Sequence, residues 1–215
     1  MIVAGFRITI GHMKSSGGRR RYRQVARTEG QQRTREALLD AAEREFFAGR
    51  FENVSLEELA ARAGVTKQTL LRHFGTKEGL LEASARRGRE RIAAQRFGAP
   101  AGDVAGAVDN LLGHYEQQGE GALALGALEG RDAVLGEVLA SAKQLHYAWV
   151  EHAFAPQLER VRGRVRARRR AALIALCDVQ VWWLLVHDLG FSRAEVRRTL
   201  IEVIERLLDD GSGRR

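Results

Sequence analysis

The sequence predicts an all-α protein, and three observations lead to that prediction. Only two prolines, Pro100 and Pro156, interrupt the 215 residues. Ala, Leu, Glu and Arg are abundant in windows whose apolar residues lie three and four positions apart, and no run alternates strictly as a half-buried strand does. A chain of this length buries a core without disulfides. Its single cysteine, Cys177, favours a reducing compartment, which predicts a cytoplasmic location.

Positive charge is concentrated at the N-terminus. The formal net charge of +8 favours a polyanionic partner, with nucleic acid ahead of an anionic membrane. Residues 1–32 hold seven basic residues against Glu29 alone, so +6 of the net charge lies there. Their composition predicts a flexible basic arm over residues 1–30. The alternative is a solubilising or misassigned leader, with Met13 as the natural start. The arginines expected to contact DNA beside helix one, as homeodomain arms do, are Arg19, Arg20, Arg21 and Arg23.

Capping residues mark the starts of the helices that follow the arm. Helices are expected over 31–48, 56–63, 67–74 and from 77 toward Gly98. Ser55 and Glu58 form a capping box at the start of the second helix. Thr66 and Thr76 cap the third and fourth helices. The second and third helices are short and meet at a glycine, which is the helix-turn-helix arrangement whose second helix enters the major groove of DNA.

A longer pattern surrounds this turn. Its residues are Thr34-Arg35-Glu36-Ala37-Leu38-Leu39-Asp40-Ala41-Ala42, Phe46, Gly49, Phe51, Val54-Ser55-Leu56, Leu59-Ala60, Ala63-Gly64-Val65-Thr66, Thr69-Leu70, His73-Phe74, Lys77-Glu78 and Leu80-Leu81. Over about residues 34–81 the chain resembles the TetR family of transcriptional regulators. The resemblance implies an N-terminal three-helix DNA-binding domain over 31–78 and a C-terminal helical domain over 79–210 that binds a ligand and dimerises. One position departs from the family, since Leu71 stands where a tyrosine usually contacts a backbone phosphate.

The start of the third helix is the expected reading surface. Lys67 and Gln68 have side chains that reach guanine or adenine edges in the major groove, and the threonines beside them offer shorter contacts. Lys77 resembles the family's phosphate-binding lysine, and free amides at the starts of the second and fourth helices attract phosphates. For His73 two roles stay open, namely a contact with a phosphate or a place at the helix end without any DNA contact. The predicted DNA-binding residues of this domain are Ser55, Thr66, Lys67, Gln68, Thr69, Leu71, His73 and Lys77.

The second half of the chain is predicted to be helical as well. Helices are expected at about 103–118, 121–128, 131–162, 166–189 and 193–209, with a frayed tail over 211–215. Gly119 is expected to separate the first two of these helices. Pro156 should kink or split the third. Ser192 and Glu195 repeat the capping box at the start of the last one.

The segment from Ala171 to Leu189 is apolar on nearly all sides of a helix. Asp178 and Gln180 lie within it and make a membrane span a poor alternative. Its own domain covers only part of such a helix, so a partner subunit is expected to cover the rest. The resemblance implies the same, because the last two helices of these regulators commonly pair between subunits, and a two-fold dimer matches a palindromic operator. The predicted interface residues are Leu173, Leu176, Val179, Trp183, Val196, Leu200, Val203 and Leu207.

Aromatic and polar side chains in the same half are candidates for a ligand pocket, since such a pocket needs apolar walls with a few polar anchors. They are Tyr115, Glu129, His146, Trp149 and Trp182, with His114 and Phe154 beside them. Ordinary core aromatics and surface histidines are the alternative for each of these residues. The sequence has no His-Glu-x-x-His pattern for a metal and no Gly-x-Ser-x-Gly pattern for a nucleophile. We therefore predict no enzyme activity, no metal site and no cofactor. Cys177, within an apolar helix, is expected to be a buried, inert thiol.

Together these features predict a ligand-responsive DNA-binding repressor that acts as a homodimer on a palindromic operator. Activation stays open, because it depends on where the operator lies in a promoter. The alternative is a ligand or protein interaction module that retains the fold without binding DNA, and Leu71 is the residue that raises it.

Overall fold

The computed structural model describes residues 16–48, 50, 53–127, 129–130 and 133–209. Every regular element within them is helical, so the all-α prediction is confirmed. In chain order the helices are α1 (Ser16–Phe47), α2 (Leu56–Arg62), α3 (Lys67–Phe74), α4 (Lys77–Arg96), α5 (Val104–Gly126), α6 (Ala133–Ala153), α7 (Ala155–Leu158), α8 (Gly163–Leu176), α9 (Val179–Trp183), which continues as a π-helical turn (Leu184–Asp188), and α10 (Arg193–Leu208).

The first helix begins earlier than the sequence predicts. It starts at Ser16, so the prediction of an unstructured arm is wrong for residues 16–30. Arginine, glutamine, alanine and glutamate favour helix, and a helix lengthens at little cost once a packed segment has nucleated it. The added turns project beyond the packed domain, since Tyr22 is 76% exposed. The rest of the predicted arm, residues 1–15, and the predicted tail over 211–215 lie outside the described residues.

The helix-turn-helix forms as the capping residues predict. Ser55 Oγ accepts from the Glu58 amide at 3.1 Å, and Glu58 Oε2 accepts from the Ser55 amide at 2.8 Å. Gly64 follows α2 with a φ of +70°, a left-handed conformation that favours glycine. Thr66 Oγ1 then accepts from the Thr69 amide at 3.2 Å and starts α3. Local hydrogen bonds therefore set the turn between α2 and α3.

One apolar core holds this domain and extends past it. Each of the first four helices contributes a fully buried leucine, namely Leu38, Leu59, Leu70 and Leu80. Leu125 on α5 and Leu135 and Leu139 on α6 belong to the same cluster. The helix-turn-helix region and the C-terminal half thus share apolar packing.

The middle of α4 is fixed to α1 by charge. Arg87 forms ion pairs at 2.6 Å with three carboxylates of α1, those of Glu36, Asp40 and Glu43. Burial disfavours the charged form of Arg87, but the three carboxylates outweigh it and raise the pKa of its guanidinium. Any shift of α4 must therefore either carry α1 with it or break these pairs.

A single helix, α5, replaces the two that were predicted over 103–118 and 121–128. The predicted break at Gly119 is wrong, because one interior glycine costs a helix only about 1 kcal/mol. Gly119 instead allows a close approach, since a Cβ built there would lie 2.4 Å from Cζ3 of Trp182. The glycine serves packing between α5 and α9.

The longest predicted helices of the C-terminal half are divided. Pro156 splits the segment predicted over 131–162 into α6 and α7, which confirms its expected effect. The segment predicted over 166–189 is not continuous, because Asp178 Oδ1 accepts from the Gln180 amide at 2.9 Å and starts α9. Tyr115 Oη donates to the carbonyl of Cys177 at 2.7 Å and satisfies the backbone at this break. The second contact joins residues 62 positions apart, which a local pattern does not include.

The last helix, α10, begins at the predicted capping box. Ser192 and Glu195 bond reciprocally, and the buried face of α10 packs into the C-terminal core. Within the described part of the chain, no single helix has the length and apolarity of a membrane span. One pair, Gly163–Leu176 with Val179–Asp188, passes that test only together and is bent by 46°.

Candidate DNA-binding surface and effector cavity

The start of α3 presents polar side chains to solvent. Thr66, Lys67 and Gln68 are exposed, and Thr69 is half-buried. The hydroxyl of Thr66 also lies 3.1 Å from that of Thr69, so the N-cap and its neighbour form one small hydrogen-bonded group. Lys67 and Gln68, which have the longest side chains of the four, are both exposed to solvent.

Lys67 has a partner that the sequence analysis did not identify. Its Nζ lies 2.7 Å from Oε1 of Glu57 on α2, and both side chains are about half exposed. The hydrogen bond from Lys67 lowers the pKa of Glu57. No motif signals this pair, because the two residues are ten positions apart on different helices. The ion pair holds Lys67 against α2 in the absence of DNA.

The other predicted contacts differ in how available they are. Ser55 uses its hydroxyl within the capping box, where it donates to Glu58 Oε2 at 2.9 Å and accepts from the Glu58 amide. Leu71 and Lys77 are half-buried. Burial, followed by the charges of neighbouring arginines, lowers the pKa of His73, so its ring is neutral at neutral pH. His73 therefore brings no charge to a phosphate.

The N-terminal part of α1 runs past the end of α3. Arg27 and Gly30 of α1 line a shallow groove together with Arg72 and His73 of α3. The same helix carries the four predicted DNA-contacting arginines on the N-terminal side of Arg27. They are Arg19, Arg20, Arg21 and Arg23, and their side chains lie outside the described residues. Their backbone belongs to the single continuous helix α1, which passes beside the end of α3.

A cavity of about 760 Å³ lies between α4, α5, α6 and the α8–α9 break. Three predicted pocket residues, Tyr115, Glu129 and His146, line it, and so does His114. Glu129 pairs with Lys143 at 2.6 Å on the edge of the cavity. The volume falls in the range of about 300–1,000 Å³ that is typical of small-molecule sites.

Two predicted pocket residues do not line this cavity. Trp149 is 1% exposed, and its Nε1 donates to the backbone carbonyl of Arg96 at 2.9 Å. Trp182 is 7% exposed and packs against Gly119 and Tyr115, with ring centroids 5.8 Å apart in the Tyr115 pair. The prediction was wrong for both, because each is a core aromatic layered behind the cavity wall. Phe154 is likewise fully buried in the core.

Arg96 is the polar residue of the cavity that sequence reasoning missed. It ends α4, is only 4% exposed and lines the cavity. Its guanidinium lies 4.2 Å from the centroid of the Trp149 ring, and its Nη2 lies 3.1 Å from His146 Nδ1. Its hydrogen-bond partner His146 lies 50 positions away in the sequence, so no local pattern signals its place in the cavity.

The two histidines beside Arg96 are neutral. His146 Nε2 lies 3.0 Å from the carbonyl oxygen of Ile174, which only accepts, so Nε2 carries the proton and Nδ1 accepts from Arg96. Burial, Arg96 and His146 lower the pKa of His114 to about 4. Burial also lowers the pKa of His146. At neutral pH, positive charge at this end of the cavity therefore resides on Arg96.

Part of the predicted dimer surface is occupied within the subunit. Leu173, Val196 and Leu200 are at most 3% exposed, because α8 and α10 turn these side chains into the core that they form with α5 and α6. The prediction that these three residues meet a partner is wrong. Leu176, Val179, Trp183 and Leu207 are half-buried, and Val203 is 39% exposed. Two exposed residues were missed, Leu184 at 46% and Leu189 at 56%.

Cys177 is fully buried, as the sequence predicts. Burial raises the pKa of its thiol to about 12, so the thiol stays protonated. Protonated thiols are poor nucleophiles and metal ligands. The side chain acts here as a small apolar group beside Tyr115.

Comparison with known proteins agrees with this architecture. Residues 38–84 match the family model described as bacterial regulatory proteins, tetR family. Solved structures with similar folds include Salmonella enterica GusR, at 22% identity and a TM-score of 0.64, covering 81% of this chain and 95% of that one. NalD, the secondary repressor of the MexAB-OprM multidrug efflux pump in Pseudomonas aeruginosa, is 25% identical with a TM-score of 0.56, over 85% of this chain and 98% of that one.

A TetR-family transcriptional regulator from Streptomyces coelicolor is 19% identical with a TM-score of 0.59, over 81% of this chain and 79% of that one. The search of curated proteins found no match. The resemblance first noted from the helix-turn-helix pattern is thus confirmed: residues 38–84 match the TetR family model, and the all-helical fold is similar to those of solved TetR-family transcriptional regulators.

Proposed function

We propose that this protein is a ligand-responsive transcriptional repressor that binds a palindromic operator as a homodimer in the cytoplasm. The observation that carries the proposal is the position of α4. Its first residue, Lys77, follows the recognition helix directly, and its last, Arg96, lines the large cavity. A single helix therefore connects a DNA-reading surface to a site of the right size for a small molecule.

On the DNA side, Lys67 and Gln68 read base edges from the start of α3. Lys67 leaves Glu57 when it does so, and the exposed pair costs little to break. Lys77 and the amides at the starts of α2 and α4 contact phosphates, which fix register without reading sequence. Leu71 contributes no phosphate hydrogen bond, because its side chain has no donor.

On the effector side, a ligand acts only through a difference in its affinity for two states of the protein. A molecule in the cavity touches α4, α5 and α6 at once. Movement of α4 is passed to α1 through Arg87 and to α3 through the short turn at Gly75. The spacing of the two recognition helices in a dimer changes as a result. NalD, a described repressor with this fold, supports repression as the outcome.

Base-edge and phosphate contacts can be separated by substitution. Lys67→Ala and Gln68→Ala should each reduce discrimination at one half-site position by about 1–3 kcal/mol, whereas Lys77→Ala should weaken binding to operator and random DNA alike. Arg206→Ala, which removes an equal charge from the exposed Glu202 pair on α10, serves as the control. The operator is first located by a genome-wide footprint, and affinity is then measured by fluorescence anisotropy. Equal losses on all sequences for the first two variants would contradict the reading role.

The homodimer forms through the apolar surface of α9, the π-helical turn and α10. Leu184 and Val203 are exposed there, with Trp183 half-buried between the core and solvent. Leu184→Glu combined with Val203→Glu should yield monomers in sedimentation experiments, because a charge in a paired apolar surface is costly. Val25→Glu on α1, an equally exposed valine far from these helices, should leave the dimer intact. A wild-type monomer at micromolar concentration would rule this surface out as the dimer interface.

Leu71 favours one second candidate, a ligand-binding or protein-interaction module that has kept the fold and lost DNA binding. The footprint experiment separates the two functions. A wild-type protein with no preferred genomic site, but with ligands that raise its melting temperature, would favour the module.

A further inference from the structure

Arg96 is a buried cation without a carboxylate partner. Within the part of the chain that the structure describes, no Asp or Glu oxygen lies within 4.0 Å of its guanidinium, whereas Arg87 and Arg91 on the same helix both pair with carboxylates of α1. Its Nε is buried and has no hydrogen-bond partner among the described residues. Buried charges in proteins are normally paired, because the loss of hydration is not otherwise offset.

The groups around Arg96 do not replace a counter-ion. The Trp149 ring stacks on the guanidinium and His146 accepts one hydrogen bond, but both are neutral. Asp178 also lines the cavity, yet its carboxylate starts α9 by accepting from the Gln180 amide and does not reach ion-pair distance. The end of α4 contributes a partial negative charge, which favours a cation there without bonding Nε.

Two further buried polar atoms of the cavity wall lack hydrogen-bond partners among the described residues. His114 Nδ1 and Gln118 Oε1 are buried without hydrogen-bond partners among the described residues, and both residues line the cavity with Arg96. They lie four positions apart on α5, so they are neighbours on one helix face. Apolar surface makes up most of the remaining wall, including Ile92, Leu123 and Val138. Arg96, His114 and Gln118 therefore contribute buried, incompletely bonded polar atoms to the cavity, whose wall elsewhere is mostly apolar with charged side chains such as Arg89, Glu129 and Lys143.

We propose that the effector of this protein is a small organic carboxylic acid, whose carboxylate pairs with Arg96 and whose apolar body fills the space between α4, α5 and α6. A carboxylate fits because its two oxygens accept from the fork of a guanidinium, including the unpartnered Nε. The stacked Trp149 ring holds that fork in place beforehand. This inference rests on the proposed effector role of the cavity and adds the chemical class of the ligand.

The first experiment compares charge while keeping shape constant. The full chain is titrated with a panel of monocarboxylic acids that covers aromatic, alicyclic and straight-chain bodies, each beside its primary amide, with binding followed by melting temperature and calorimetry. Acids that bind should do so about 10- to 100-fold more tightly than their amides, the range expected for a charge-assisted hydrogen-bonded pair. The proposal is overturned if amides bind as well as acids, or if no acid in the panel binds.

The second experiment assigns the preference to Arg96. Arg96→Met keeps an unbranched side chain and should reduce the acid-to-amide ratio to about threefold or less. Arg91→Met is the matched control, because Arg91 lies on the same helix but is exposed and pairs with Glu43 outside the cavity lining. An unchanged ratio in Arg96→Met would overturn the proposal. If that variant does not fold, the wild-type comparison decides by itself, and Arg96→Lys should keep a reduced preference for acids.

Parallel DNA-binding measurements separate this inference from the proposed function. Acids that bind through Arg96 without releasing DNA support the anion site and count against ligand-controlled repression. Neutral compounds that release DNA, with no preference for acids, support ligand control and overturn the anion site.

Discussion

The two ends of α4 carry charge in opposite surroundings. Near Lys77, the polar side chains of the helix-turn-helix are exposed or half-buried, and Lys67 pairs with Glu57 in contact with water. At Arg96, a guanidinium is 4% exposed and has neutral neighbours that include Trp149, His146 and Tyr115. The helix thus joins a surface where charges are hydrated to a cavity where one charge is not.

This difference determines how each end can respond. Breaking an exposed ion pair costs little because water replaces each partner, so the DNA-facing end exchanges contacts when DNA arrives. A buried cation has no such replacement, and a ligand that supplies the missing charge gains more from it. The end of α4 at the cavity therefore discriminates between ligands by their charge, and the exposed end readily exchanges its ion-pair partners.

The largest effect expected from this contrast is a pH dependence of stability at the cavity end. The pKa of His114 is lowered to about 4 in the folded chain, against an ordinary value of 6.5. Between these values the unfolded chain binds a proton at His114 and the folded chain does not, so stability falls as the pH drops from about 6.5 to about 4. The shift corresponds to about 3 kcal/mol, and buried His146 acts in the same direction.

Urea unfolding across this pH range checks the prediction. His114→Gln should remove most of the slope, and His152→Gln, at an exposed histidine, should keep it. A slope that survives unchanged in His114→Gln would show that folding does not lower the pKa of this imidazole.

The next effect concerns packing behind the cavity. Gly119→Ala places a methyl group 2.4 Å from the Trp182 ring, so the two helices must separate, and we expect a loss of about 1–3 kcal/mol. Gly136→Ala on α6 is the matched control, because no atom lies within 4 Å of its Cβ position, and it should be neutral or stabilise by up to about 1 kcal/mol. Thermal unfolding measures both. Equal effects would mean that α5 and α9 are not tightly packed.

Between the two ends, Arg87→Ala tests the attachment of α4 to α1. It removes three ion pairs and leaves Glu43, whose side chain is 8% exposed, with Arg91 at 3.0 Å. We expect a loss of about 1–2 kcal/mol in urea unfolding, less than for a fully buried pair because two of the carboxylates are exposed. Arg206→Ala should change stability by less than about 0.5 kcal/mol. Similar values for both variants would mean that the attachment is weak.

The smallest effect is at the DNA-facing end. Glu57→Gln removes the carboxylate that holds Lys67 and should tighten DNA binding about two- to fivefold, because Lys67 no longer leaves a partner. Glu202→Gln, at an exposed pair on α10, should leave affinity unchanged. Anisotropy at fixed salt measures both. Weaker binding by Glu57→Gln would indicate that the pair positions Lys67 for DNA.

Features set by contacts between nearby residues were mostly predicted from the sequence, whereas features set by contacts between distant residues were not. Helices α2, α3 and α10 begin where the sequence predicts, because Ser55, Thr66 and Ser192 each bond an amide three residues away. At the break before α9, the Asp178 cap is a local signal that was overlooked, whereas the bond from Tyr115 to the Cys177 carbonyl joins residues 62 positions apart and has no local signal. Arg96 was missed for the same reason, since its histidine partner lies 50 positions away. The reading surface is a local feature and was predicted, whereas the polar end of the cavity is assembled from distant segments.

The helical form of the N-terminal segment limits how far the protein reaches along a DNA duplex. Residues 16–29 extend about 21 Å as a helix, at 1.5 Å per residue, whereas the same residues in an extended chain cover about 47 Å. At 3.4 Å per base pair these lengths correspond to about 6 and about 14 base pairs. Any contact between DNA and Arg19, Arg20, Arg21 or Arg23 would therefore lie within about six base pairs of the point where the helix leaves the packed domain.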